Sequence, residues 1–207
     1  MSIVETRKHV RLGYPPRPTT GGNIPRLTSR DIATPKLNGM RVLMNRDGTL
    51  YNRKMEETSQ MDRELRHEIH DLLLACSDLS VQWWDMEYER SQNMCALIDV
   101  CDGSDADYHA RHSLVNHIDA VADPLLWPTR FGRLQNISGA RCSVWRLPVY
   151  TTEVDTVCQF KIMEGMWQNI GDKFLWEGVV TVDTTLPYKL TNKQSMNMEL
   201  HRKYRFR

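Results

Sequence analysis

Short runs in which apolar and polar residues alternate are interspersed with longer stretches whose apolar positions recur every three to four residues. The two periods predict different elements. Residues 41–46 and 49–53 read as strands, with Asp47-Gly48 between them as a hairpin turn. Residues 81–89, which hold the Trp83-Trp84 pair, also read as a strand, as do 96–100, 142–150 and 174–182, with a weaker one over 199–206. Leu65, Ile69, Leu72, Leu73 and Cys76 fall at helical spacing, with Asp62 placed to cap a helix over 61–76. Leu114, Ile118 and Val121 predict a second helix over 108–122. Val154, Val157, Cys158 and Ile162 define the inward face of a third over 153–170. Residues 1–30 carry Tyr14-Pro15-Pro16-Arg17-Pro18 and Gly21-Gly22 and read as an irregular arm. Many strands with three helices, not strictly alternating, predict an α+β fold of mostly antiparallel sheet.

The length of 207 residues suits one domain with a substantial core. No apolar run approaches the roughly 18 residues of a membrane span. The N-terminus lacks a signal-type apolar stretch, so a cytoplasmic protein is expected. Five cysteines with no Cys-x-x-Cys spacing read as reduced thiols and not as a zinc site.

Charge adds one point. Residues 1–30 hold Arg7, Lys8, Arg11, Arg17, Arg26 and Arg30 against Glu5. Residues 189–207 hold Lys189, Lys193, Arg202, Lys203, Arg205 and Arg207 against Glu199. Two basic ends on a chain of net charge +1 leave an acidic middle. That distribution suits a polyanion gripped by the ends.

The chemistry begins at Lys36, in the order Lys36-Leu37-Asn38-Gly39-Met40-Arg41. A lysine amine is a nucleophile only when unprotonated, so it needs desolvation or nearby cations. Arg41 and Arg53, the latter in Tyr51-Asn52-Arg53, are candidates for that field and for neutralising phosphates. In Asp85-Met86-Glu87, strand alternation puts both carboxylates on one face, suited to a ribose hydroxyl or a metal ion. Glu177 precedes Gly178 in Trp176-Glu177-Gly178-Val179-Val180, where glycine allows close backbone approach to a ligand and Val179 could pack on a purine face. Lys203-Tyr204-Arg205 supplies late cations. The pairs His67/His70 and His109/His112 lack an evident third ligand and read as surface histidines. Residues 102–107 do not match a calcium loop. The tryptophans read mainly as core, with Trp127 before Pro128 the most loop-like.

In this order the segments resemble the covalent nucleotidyltransferase superfamily of ATP-dependent DNA ligases, RNA ligases and messenger-RNA capping enzymes. The resemblance runs from about Pro35 to Arg207. The first motif there usually reads Lys-x-Asp-Gly, so Asn38 keeps the turn and loses a charge. The resemblance implies two sheets around a nucleotide cleft, with residues 31–207 as the adenylation domain. It implies that Lys36 is adenylylated from ATP with Mg2+ or Mn2+, with Glu87 and Glu177 at the metal. Arg41, Arg53, Glu87, Asp99, Glu177, Val179 and Lys189 then stand as nucleotide-binding residues. The position before Asp99 often carries a base-stacking aromatic in that family; here it is Ile98. Lys203 and Arg205 are assigned to the last motif, at the α-phosphate, with Lys189 and Lys193 as nearer lysines. Arg41 tilts the expectation toward nicked DNA over RNA. A capping-type guanylyltransferase and a catalytically weak nucleic-acid-binding subunit are the rivals. No second, oligonucleotide-binding domain is expected within these residues, which leaves an adenylation domain that works alone, a partner protein that supplies the clamp, or a fragment of a longer chain, with the basic arm replacing part of the grip.

Overall fold

The computed structural model describes residue 15 and residues 17–91, 93–118, 143–171, 174–190 and 197–207. Nine strands and three helices are assigned among them, and the strands form two sheets. One sheet has four strands in the order β1 (Arg17–Thr20), β9 (Asn197–Arg205), β8 (Trp176–Asp183) and β2 (Asp31–Leu37). The other has five, in the order β4 (Leu50–Asn52), β3 (Met40–Asn45), β5 (Trp83–Glu89), β6 (Met94–Cys101) and β7 (Ser143–Arg146). The pairs β1·β9 and β6·β7 are parallel and the rest antiparallel, so the expected α+β architecture holds.

Three apolar clusters hold the layers together. Helix α1 (Arg63–Cys76), capped by the Asp62 carboxylate as expected, buries Leu65, Ile69 and Leu73. These meet Val42, Met44, Trp84 and Met86 of the five-stranded sheet. Helix α3 (Glu153–Ile170) lays Phe160 and Met163 on Trp176, Val179, Tyr204 and Phe206. The third cluster joins the two sheets, with Ile32, Val182 and Leu200 from one and Leu43, Trp83 and Cys101 from the other.

Several expectations are corrected. The arm is not wholly irregular, because Arg17–Thr20 forms an edge strand on β9. Strand β2 carries no clean apolar alternation and contains Pro35, which hides it from pattern reading. As an edge strand it tolerates that proline. The Ala33 N–H and C=O both bond outward, to Tyr150, so two residues on the missing Pro35 N–H also falls on the outer side. The second helix spans only Tyr108–Ser113 and is denoted α2; Val115 lies in a bridge to Ser77. Val121 and Ala122 of its expected course, like Cys142, Trp127 and Pro128, lie outside the described residues. Helix α3 is in place but turned: Thr156, Phe160 and Met163 face inward, while Val154 is 78% exposed and Ile162 and Cys158 are also exposed. His112 is not a surface histidine; it is largely buried and stacks on Tyr108.

One local irregularity sets the site. Lys36 pairs with Gly178 and Leu37 with Trp176, so Glu177 is an extra residue bulged out of β8. Bulges re-aim side chains. Gly178 adopts φ +148°, and a Cβ there would lie 1.8 Å from the Tyr204 carbonyl oxygen. The glycine therefore admits the backbone of β9, not a ligand as its sequence context suggested. Gly178→Ala is expected to destabilise the fold by about 3 kcal/mol, through overpacking and backbone strain. Gly22→Ala, with nothing within 4 Å of its new Cβ, is expected to stay within about 0.5 kcal/mol of wild type. Chemical denaturation of the two variants checks this.

Candidate active site

The chain leaves the four-stranded sheet after Leu37 and enters the five-stranded sheet at Met40. The passage runs through Asn38-Gly39, with the Asn38 N–H bonded to the Leu175 carbonyl at 2.7 Å. A Cβ on Gly39 would lie 2.6 Å from the Tyr88 carbonyl oxygen. Lys36 and Arg41 therefore stand on the two sheets on either side of this crossing. Both line a cleft of about 710 Å³.

Lys36 is 17% exposed and forms an ion pair with Glu177. The same carboxylate oxygen lies 3.2 Å from the Arg205 guanidinium. Strand alternation on β9 turns His201, Lys203 and Arg205 to the cleft together. Burial lowers the Lys203 pKa, and the nearby Arg205 and Lys36 cations lower it further. Four of the expected residues, Lys36, Glu177, Lys203 and Arg205, thus form one charged cluster.

The five-stranded wall supplies the rest. Arg41 donates from Nε to Asp85 at 2.9 Å and pairs through its second nitrogen with the other oxygen. Asp85 is 1% exposed and also accepts the Tyr188 hydroxyl at 2.7 Å. Burial opposes the Arg41 charge, but Asp85 beside it holds the pKa above its ordinary value. Glu87 lies opposite Arg41 on β5 and lines the cleft. Burial pushes its pKa up to about 7, against the pull of Lys36 and Arg41. Asp85 and Glu87 thus divide the work: one fixes Arg41, the other faces the ligand space. Arg53 and Asn52 line the rim, with the Asn52 side-chain oxygen bonding the Lys54 and Glu56 N–H groups of the turn.

Three expected nucleotide contacts lie elsewhere. Asp99 is fully buried in a bidentate pair with Arg111, at 2.9 and 2.8 Å, and its neighbour Ile98 lines the cleft instead. Val179 packs in the core beneath the sheet, and Val180 takes the cleft-facing place because the Glu177 bulge shifts the phase of β8. Lys189 pairs with exposed Asp105 and is not among the described residues lining the cleft. Lys193 lies outside the described residues. Sequence reasoning missed Arg17, Tyr108 and His201 as cleft residues. Stepping back by two along β9 from Lys203 would have found His201. Arg17 was hidden in a proline-rich stretch, and nothing local marked Tyr108.

No cluster of three His, Cys, Asp or Glu side chains suited to a metal occurs among the described residues. Glu87 and Glu177 do present two hard carboxylate donors to one cleft. That set fits magnesium, which commonly takes one or two carboxylates and completes its shell with phosphate oxygens and water.

No protein-family model matches the sequence, and no curated protein matches it. Solved structures do. A Chlorella virus DNA ligase-adenylate superposes with a TM-score of 0.56 at 16% identity, over 94% of this chain and 67% of that one. The ligase domain of M. tuberculosis LigD gives 0.53 at 17%, over 93% and 59%. A mycobacterial DNA ligase D complexed with ATP and MES gives 0.52 at 16%, over 93% and 60%. Among the described residues no helix is long and apolar enough to cross a membrane. The two-sheet architecture around this cleft is the nucleotidyltransferase-domain fold of ATP-dependent DNA ligases.

Proposed function

We propose that this chain is the adenylation domain of an ATP-dependent polynucleotide ligase acting on nicked DNA, with Lys36 as its nucleophile. The observation that carries this reading is the cluster at the cleft: Lys36 in contact with Glu177, flanked by Arg205 and Lys203. Attack needs an unprotonated amine, whose proton passes to solvent, and the Lys203 and Arg205 cations beside Lys36 favour that loss. The Lys36 Nζ–phosphorus bond forms as the bond from the α-phosphorus to the pyrophosphate oxygen breaks. Lys203 and Arg205 neutralise charge that builds on the phosphate oxygens, the main protein contribution to such a transfer. In the second step the 5′-phosphate of the nick takes AMP from Lys36. In the third, the 3′-hydroxyl attacks that phosphate and AMP leaves.

Glu87 and Glu177 would hold the magnesium ion, which when bound supplies charge neutralisation of the triphosphate. Arg17, Arg53, Lys54, Lys203 and Arg205 along the cleft fit a phosphodiester backbone, whose binding is dominated by cation contacts. Two further points favour DNA over RNA: Arg41, which tilts the sequence resemblance that way and lines the cleft, and the likeness in fold to the Chlorella virus and M. tuberculosis DNA ligase structures.

Labelled ATP and magnesium should leave an acid-labile, base-stable label on the wild-type chain after denaturation. Lys36→Ala should carry none, and equal labelling of the mutant overturns the assignment. Glu177→Gln should lower the rate of adduct formation roughly a hundredfold, the scale of one lost electrostatic contact in the transition state. Its unfolding midpoint checks that the fold persists.

The Glu87 carboxyl is raised to about 7 by burial, so it is ionised above that pH and protonated below it. A proton then competes with the cation. The magnesium concentration for half-maximal adduct formation should rise about tenfold for each pH unit below 7. In Glu87→Gln that slope should vanish. A slope unchanged in the mutant would show that Glu87 does not titrate against the metal.

A further inference from the structure

The cleft has two chemically unlike ends. At one end Gly178 pairs with Lys36 on one side and Arg205 on the other, and farther along β8 Val180 pairs with Thr34 and Lys203. Beyond Lys203 the wall continues through Val182, His201 and Tyr108, with Arg41 near His201. Tyr108 and Val182 share one apolar cluster, Val180 packs against it, and His201 pairs across the sheet with Val182. A triphosphate belongs by Lys36, Lys203 and Arg205, which leaves the end at Tyr108 and His201 to the base.

Tyr108 carries the only phenol ring among the described residues of the cleft wall. Its placement is heavily constrained. Its backbone N–H bonds to the Thr184 carbonyl at 3.0 Å. Its ring stacks on His112, with centroids 4.0 Å apart and planes 27° from parallel. His112 is in turn hydrogen-bonded to the Ile98 backbone and lies 3.6 Å from Asp99. Asp99 is locked to Arg111, which also donates to the Ala106 and Leu186 carbonyls. The ring is therefore braced on a buried histidine that lies beside a buried ion pair.

The polar groups at this end are underused. The Tyr108 hydroxyl has no hydrogen-bond partner among the described residues. The buried His201 Nε2 likewise has none. Burial, with Arg41 and Arg111 nearby, pushes the His201 pKa down to about 3, so the imidazole is neutral. An apolar wall with unsatisfied polar atoms, flanked by an Arg41 already paired to Asp85, matches a flat heteroaromatic ring with a polar edge.

We propose that Tyr108 is a specificity-determining residue whose hydroxyl hydrogen-bonds the edge of the nucleobase of the triphosphate attacked by Lys36. This rests on the ligase reading above.

The test is adduct formation on the full chain with labelled ATP across a concentration series. Tyr108→Phe keeps the ring on His112 and removes only the hydroxyl. It should raise the KM for ATP about fivefold to tenfold, the effect of one neutral hydrogen bond, and leave the maximal rate unchanged. A structural lesion would instead lower the unfolding midpoint or the maximal rate. A second arm needs no mutant protein: wild type is assayed with purine riboside triphosphate, which lacks the 6-amino group, and with 7-deaza-ATP, which lacks the N7 acceptor. Wild type should discriminate against at least one of them, and Tyr108→Phe should lose that discrimination. Equal KM values for ATP and equal analogue ratios in the two proteins overturn the proposal. So does a wild type indifferent to both analogues. No label on wild type with ATP would overturn the ligase reading itself, which separates the two failures.

Discussion

The passage of the chain from one sheet to the other at Asn38-Gly39 is the constraint on which the cleft depends. It is tight: Gly39 lies against the Tyr88 carbonyl, and Asn38 is tied to Leu175. Because Leu37 ends its strand in one sheet and Met40 begins its strand in the next, the short passage between Lys36 and Arg41 sets the relation of the two walls. The Glu177 bulge then turns a carboxylate onto Lys36 that regular pairing would have sent into the core beside Val179. Closure of the four-stranded sheet against β9 at Gly178 brings Lys203 and Arg205 to the same place.

Buried ion pairs hold the framework, and their value lies in position more than in stability. Desolvation offsets much of the attraction in such a pair, while removal of one partner leaves a buried charge uncompensated. Arg41 with Asp85 and Arg111 with Asp99 are of this kind. Tyr188 adds a hydrogen bond to Asp85 from a segment 103 residues away. The charged wall of the cleft is thus fixed from beneath, while Lys36, Glu177 and Arg205 share a partly exposed contact that a phosphate can rearrange.

Much of this was legible in the sequence, and the misses have physical causes. Motif order marked Lys36, Glu87, Glu177, Lys203 and Arg205, because charged residues within or beside apolar strands stand out. Asp99 was misplaced because a carboxylate in an apolar strand looks the same whether it meets a ligand or a buried arginine, and Arg111 lies on another element. Val179 was preferred to Val180 because period two fails across a bulge, and no residue type announces the extra position. Helix α3 was found, but its buried face was misassigned: Val154 and Ile162 are apolar yet exposed, and Thr156 is buried. Strand β2 was missed because Pro35 is read as a breaker, although an edge position removes the objection.

Pro35 has a consequence for how the chain behaves among its own copies. Strand edges invite pairing with other chains, and among the described residues β2, which carries Lys36, is an edge. Tyr150 already occupies the outward groups of Ala33. At Pro35 an approaching strand finds a carbonyl but no donor. The ladder cannot run on toward the nucleophile, so the wall of the cleft resists intermolecular β-pairing at the point where the chemistry needs open access.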